Sequence, residues 1–231
     1  MTNLSGAPSI NPTGWDEEAA RTWLAGPTSS ASEALRRPWQ IGATVIGLSE
    51  TSVRTVLDVA SGPGGFLQLL LGEFPVAHGV WLDASDVMLE EARSRLADLG
   101  DRVEYHVGDI LELDRVCAPG SVDVVTTSRA THHLTVADLG RFYEQAATVL
   151  RPGGWVANWD NVTSGGEWDG LLRSVRAKLR GGARDAAPGH PHVHRSPTVG
   201  EHLSAMQAAG LADPQEIWRE FVTVLVMARK P

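Results

Sequence analysis

Between Thr55 and Trp159 the chain alternates short runs of β-branched and other apolar residues with longer amphipathic stretches, and this alternation constrains the fold most. Thr55 to Ala60, His78 to Asp83, Val103 to Val107, Val122 to Thr127 and Trp155 to Trp159 read as strands. Short runs apolar at consecutive positions fit strands covered by helices on both faces. Phe66 to Glu73 reads as a helix between the first two strands. Ser85 caps the next helix, Met88, Ala92, Leu96 and Leu99 give it an apolar face, and Gly100 stops it. Thr135 with Asp138 resembles a capping box, and opens a helix carrying Leu139, Phe142, Ala146, Val149 and Leu150 that ends at Pro152. Thr198 with Glu201 is a cleaner box for a late helix closed by Gly210, and Phe221 to Ala228 is the final strand. Strand and helix alternating at this spacing predict an α/β fold, with a mostly parallel sheet between two helical layers.

The chain has 231 residues, which suits one such domain with small additions. Residues 1–50 read as a polar tail followed by a helical lid, and 51–231 as the main domain with an insertion near 160–197. Acidic residues crowd the first turn of a short helix around Trp15 to Leu24, and Pro38 is expected to break or kink a second helical stretch from Ser32 to Gly47. The net charge is −8, and no basic stripe is present. A polyanion partner such as nucleic acid is therefore not expected, and a small-molecule substrate is. The single cysteine, Cys117, excludes an internal disulfide and a cysteine-based zinc site. With no signal peptide and no bilayer-length apolar run, the expected location is the cytoplasm, away from membranes.

In sheets of this kind ligands bind beyond the carboxyl ends of the strands. The first strand runs into Asp58-Val59-Ala60-Ser61-Gly62-Pro63-Gly64-Gly65. Glycines let the backbone pass close to a ligand, and the following helix offers free N–H groups, although such a turn can also serve packing alone. The second strand ends at Asp83, where a carboxylate can accept both hydrogen bonds of a ribose diol. Each such charge-assisted bond is worth roughly 1.5–3 kcal/mol. After the third strand comes Gly108-Asp109-Ile110, an acceptor beside an apolar cover suited to adenine.

These stretches, with Asp123-Val124-Val125 through His132-His133-Leu134 and Leu150-Arg151-Pro152-Gly153-Gly154, resemble the class I S-adenosylmethionine (SAM)-dependent methyltransferases in family order. The resemblance implies a Rossmann-like three-layer sandwich, a seven-stranded sheet whose last strand runs antiparallel, SAM as cofactor and S-adenosylhomocysteine as product. It gives Asp58 the methionyl amino group, and Ala60, Ser61 and Gly62 the methionine through their backbone. Asp83 takes the ribose, Ala84 and Met88 flank the adenine, Asp109 and Ile110 read and cover it, and Ser128 and Arg129 lie near the methionyl end. Ala60 departs from the family, which usually has glycine there. A nicotinamide dehydrogenase, the nearest rival, would need glycine where Leu67 stands.

Methyl transfer from a sulfonium is an in-line displacement, in which positioning can supply ~7–11 kcal/mol and a general base roughly 10²–10⁴-fold more. The candidate bases are His132 and His133 past the fourth strand, and His192 in the run His190-Pro191-His192-Val193-His194 of the insertion. His194 is a candidate substrate contact. Three alternating histidines could also hold a metal, but none is expected. Asp160-Asn161 resembles the pair of magnesium-dependent catechol-type enzymes, yet Arg129 stands near where a further acidic ligand belongs. Trp15 and Trp23, with Trp39, are expected to roof the site, and Trp159 and Trp168 to wall it. The expected activity is transfer of the SAM methyl to an oxygen or nitrogen of a small metabolite, by a monomer or homodimer. A SAM-binding catalyst that does not methylate, and a non-catalytic SAM-binding partner subunit, remain as alternatives.

Overall fold

A computed structural model describes residues 17–25, 33–49, 52–179 and 195–231. Seven strands form one sheet: β1 (Thr55–Val59), β2 (His78–Asp83), β3 (Val103–Val107), β4 (Val122–Ser128), β5 (Leu150–Asn161), β6 (Ala212–Glu220) and β7 (Thr223–Arg229). Their order is β3-β2-β1-β4-β5-β7-β6. The first five pair in parallel. β7 is antiparallel to both β5 and β6, so it alone runs against the others.

Alternation within each strand sorts the core into two layers. Leu57, Val59, Val125 and Val156 face α5 (Val136–Val149) and α7 (Val199–Ala208), which contribute Leu139, Phe142, Tyr143, Ala146 and Met206. Val56, Val124 and Ala157 face the opposite layer of α2 (Glu33–Leu48), α3 (Gly65–Glu73) and α4 (Asp86–Arg95). There Trp39, Ala43, Ile46, Phe66, Leu67, Leu70 and Met88 fill the interior. The short α1 (Glu17–Ala25) buries Ala20 and is tied to the start of α4. Glu17 Oε1 accepts from the Ser85 hydroxyl and the Asp86 N–H, each at 3.2 Å.

All three expected helix caps form. Ser85 accepts from the Met88 N–H, and Thr198 and Glu201 close a reciprocal capping box. Thr135 accepts the Asp138 N–H, but the Asp138 carboxylate takes the Thr135 hydroxyl and not its backbone. Other expectations need correcting. Pro38 does not interrupt α2. It forfeits one backbone hydrogen bond, which burial of Trp39, Ala43 and Ile46 along the same helix offsets. β5 begins at Leu150, not Trp155, and carries Gly153-Gly154 inside it. A Cβ on Gly154 would stand 2.9 Å from the carbonyl oxygens of Arg151 and Asp123, so only glycine lets the strands approach there.

Two elements had no reading in the sequence. β6 is an edge strand of mostly polar, exposed residues beginning Ala212-Asp213-Pro214, a composition that suits an edge and hides it from an apolar search. α6 (Glu167–Leu179) buries none of its residues. No described helix is long and apolar enough to cross a membrane.

Candidate cofactor and acceptor site

A cleft of about 1010 Å³, open mouth included, lies across the carboxyl ends of the parallel strands. Its first wall is built by the turns after β1, β2 and β3. Past β1 the backbone turns sharply, with φ of 51° at Ala60, 54° at Gly62 and 77° at Gly64. Glycine adopts this left-handed region freely, but an alanine costs ~1–2 kcal/mol there. Ala60 is therefore a strained substitute for the usual glycine. The turn is stitched to its neighbour: Ser61 N–H donates to the Leu82 carbonyl at 3.1 Å, and the Trp81 indole N–H to the Gly62 carbonyl at 2.8 Å.

Asp83 joins these turns. One carboxylate oxygen accepts the Gly62 N–H at 2.8 Å and the other the Ser85 N–H at 3.0 Å. Burial pushes its pKa up to about 6 against the pull of those bonds. Asp58 lies deeper, fully buried, and accepts the Ser61 and Thr126 hydroxyls. Burial raises it to about 6 as well. Asp58 does not line the cleft. Its bond to the Ser61 hydroxyl ties it to the turn that does line the cleft. Asp109 does line the cleft, and one of its oxygens accepts the Leu111 N–H at 2.8 Å.

The cleft is also lined by aromatic rings. Trp23 from α1, Trp39 from α2, Phe66 from α3 and Trp159 from β5 all line it. Trp39 stacks on Phe66 at 5.1 Å and 6°, and meets Trp159 edge-on at 5.9 Å and 84°. The buried indole N–H groups of Trp39 and Trp159 have no hydrogen-bond acceptor among the described residues.

Between the walls lie Ser128, Arg129, Ala130 and His133. Arg129, at φ 58°, donates its N–H to the Trp159 carbonyl at 2.9 Å, tying the end of β4 to β5. His132 turns away from the cleft. Asp160 receives its Nδ1 at 2.5 Å, its backbone N–H at 2.9 Å and the Thr131 hydroxyl at 2.6 Å. Burial alone would raise the Asp160 carboxyl, but the His132 imidazole and Thr131 hydroxyl outweigh it and hold it well below the usual carboxylate range. The two histidine rings lie 4.1 Å apart, so Asp160 fixes the turn that presents His133. Behind it the Asn158 amide donates to Thr131 Oγ1 and to the Tyr143 oxygen, both at 2.9 Å, and that oxygen lies 2.8 Å from His202 Nδ1. Burial lowers the His202 pKa to about 4.

Residues 56–154 match the family model of a methyltransferase domain. The relatives and solved structures that match are methyltransferases as well. The chain is 34% identical over 126 residues to a ubiquinone/menaquinone biosynthesis C-methyltransferase of Dinoroseobacter shibae, covering 53% of this chain and 48% of the relative. It is 29% identical over 179 residues to a malonyl-[acyl-carrier protein] O-methyltransferase of Methylococcus capsulatus, covering 76% and 59%. The chain thus spans about half the length of these relatives, 48% and 59%. An O-methyltransferase family protein of Burkholderia thailandensis shares the fold, with a TM-score of 0.67 at 21% identity over 94% of this chain and 61% of that one. Human N-acetylserotonin methyltransferase, solved in complex with SAM, matches with a TM-score of 0.60 at 15% identity over 83% and 51%.

SAM is the cofactor of this family, and the chemistry of the first wall fits it. One cleft gathers two carboxylates, Asp83 and Asp109, the turn of Ala60, Ser61 and Gly62, and the apolar Ala84, Met88 and Ile110. Of the remaining sequence candidates, Ser128, Arg129, His133, Trp23 and Trp159 reach the same cleft, while Asp58 and His132 stand behind it. Trp168, expected in the wall, is instead 62% exposed on α6. Trp15, His192 and His194, with His190, lie outside the described residues. Among the described residues no group of three or more His, Cys, Asp or Glu is placed to hold a metal. Phe66 escaped the sequence reading because a phenylalanine opening an apolar helix reads as core, and its place directly after the glycine turn was the usable signal. Trp39, expected with Trp23 to roof the site, lines the cleft from α2.

Proposed function

We propose that this protein transfers the methyl group of SAM to an oxygen or nitrogen of a small metabolite with a flat, apolar body. The observation that carries the reading is what one cleft brings together: acidic, backbone-rich turns, and the rings of Trp23, Trp39, Phe66 and Trp159. The bound cofactor supplies an electrophilic methyl on its sulfonium. Asp83 holds the ribose diol, Asp109 and Ile110 the adenine, and the backbone of Ala60 to Gly62 the methionyl end. Ala84 and Met88 flank the base, and Ser128 and Arg129 border the methionyl end. The aromatic wall excludes water and lays a planar acceptor beside the methyl group. His133, which borders both walls, takes the proton of an acidic acceptor. His132, engaged by Asp160, supports that turn. The N-terminal helices, which bring Trp23 and Trp39 to the cleft, act as the lid.

Among the relatives, the 3-amino-4-hydroxybenzoate 4-O-methyltransferase of Streptomyces cremeus, 27% identical over 139 residues, is named for a small aromatic substrate and supports the reading. The test is S-adenosylhomocysteine formation with a panel of phenols, aromatic acids, aryl amines and aliphatic acids. Turnover should favour planar acceptors and fall about 10²-fold or more in His133→Ala at neutral pH. Selective turnover of aliphatic acceptors would overturn the substrate reading. A converted substrate without S-adenosylhomocysteine would establish the non-methylating alternative.

A further inference from the structure

We propose that α6 is a self-association surface, on which a second copy of this chain packs antiparallel across a two-fold axis. The surface is independent of the cofactor cleft, since none of the α6 residues concerned lines it. Helix α6 exposes Trp168 by 62%, Leu171 by 53%, Val175 by 37% and Leu179 by 73%. Spacings of three and four place these residues on one face, so they form a single apolar stripe along the outside of the helix. A stripe of large apolar residues standing in water is the usual mark of an interaction surface, whereas scattered ones need no explanation.

The charges beside the stripe identify the occupant. α6 carries Glu167 and Asp169 in its first turn and Arg176 and Lys178 in its last. Glu167 and Lys178 are both exposed and lie on the same flank of the stripe, eleven residues (about three turns) apart. Packed parallel, two such helices would put this flank of each copy on opposite sides of the seam, so Glu167 and Lys178 of the two copies would not meet. Packed antiparallel, each Glu167 faces the Lys178 of the other copy, and the symmetry makes the pair twice. The same register puts the axis between Leu172 and Arg173. It brings Trp168 level with the gap between Val175 and Leu179 of the second copy, so large side chains meet spaces. Antiparallel helix dipoles add to the preference. A surface complementary to itself under a two-fold rotation is what an isologous homodimer requires. One helix from each copy gives a contact at the small end of specific interfaces, so the dimer is weak and dependent on concentration.

The test is the mass of the full chain by light scattering and sedimentation over a concentration series, with SAM binding and thermal melting as checks of folding. Wild type should pass from monomer to dimer as concentration rises. Leu171→Asp, which sets a carboxylate in the stripe, should stay monomeric, melt normally and bind SAM as wild type does. Glu167→Lys and Lys178→Glu should each weaken association about tenfold, and the double swap should restore it. A wild type that stays monomeric throughout, whether another protein or another part of this chain covers the stripe, overturns the proposal. So does a dimer that survives Leu171→Asp, or a double swap no better than its single variants.

Discussion

The two walls of the cleft are made in different ways. In the cofactor wall, three adjacent strand-end turns hold one another. Asp83 accepts N–H groups from the turn before it and the turn that follows it, and the Gly108 N–H donates to the Asp83 carbonyl at 2.9 Å. In the aromatic wall, four rings come from four elements spread between Trp23 and Trp159, and two of their N–H groups find no acceptor among the described residues. The first wall is therefore a property of local sequence, finished before any ligand arrives. The second is a property of packing, and its polar edges remain to be satisfied by what binds.

The largest expected effect falls on the floor that joins the walls. Asp160→Ala leaves the Thr131 hydroxyl, the His132 N–H and the imidazole without their buried acceptor. It should cost ~3–5 kcal/mol of stability by denaturant titration, while the folded fraction still binds SAM, because Asp160 does not line the cleft. Equal loss of SAM affinity in the folded protein would show that the floor and the cofactor wall are one unit.

Trp39→Ala should also cost ~3–5 kcal/mol, since it empties a buried position. Trp39→Phe should cost ~1 kcal/mol or less, because it keeps the stack on Phe66 and removes an unsatisfied donor. Neither should move the SAM dissociation constant more than a few-fold. A tenfold change would place that ring in the cofactor wall.

The carboxylates give a pH dependence confined to the first wall. Asp58 and Asp83 both titrate near about 6. Cofactor binding that needs the Asp83 carboxylate should be constant above that pH and weaken by up to about tenfold per unit below it. Stability of the ligand-free protein moves the other way from these two groups. Their folded values lie above the ordinary 3.8, so the folded state holds the extra protons. Their contribution is greatest below pH 4 and is lost as pH rises through about 6. Calorimetric titration across pH 5–8 checks the binding arm, and an affinity independent of pH would remove Asp83 from the ribose.

The smallest effect is at Ala60. Ala60→Gly relieves a left-handed alanine worth ~1–2 kcal/mol and gives back ~0.4–1 kcal/mol in chain entropy. A gain of up to about 1 kcal/mol is expected, seen as a rise of a few degrees in Tm. A lower Tm would mean that the alanine methyl packs better than its backbone suffers.

What the sequence revealed follows the same division. β1 to β4 announce themselves as apolar runs because helices cover both faces, and the glycine turn and Asp83 stand at strand ends where chemistry is fixed by position. The Ser85 cap was legible from three neighbouring residues. β6 was not, because an edge strand has no interior to fill and burial is what writes alternation into a strand, and α6 was not, although Trp168, Leu171, Val175 and Leu179 recur at helical spacing. Pro38 misled because a local rule was weighed without the packing that overrides it. Asp160 was visible as a residue but not as an acceptor, since Thr131 and His132 lie about thirty positions away in sequence and meet it only because β4 and β5 are neighbours. Of the aromatic lining, Trp23, Trp39 and Trp159 stand out in the sequence as tryptophans before the first strand and at the end of the fifth, whereas Phe66 reads as core.

The central claim is that SAM binds along the acidic wall through Asp83. Calorimetric titration of SAM into wild type and Asp83→Asn at pH 7.5 tests it most directly, with melting curves to show that both are folded. The structure predicts one site per chain in the wild type, and an affinity at least tenfold weaker in the variant, since each charge-assisted bond to the ribose is worth roughly 1.5–3 kcal/mol. Equal affinities in two folded proteins, or no SAM binding by the wild type, would contradict it.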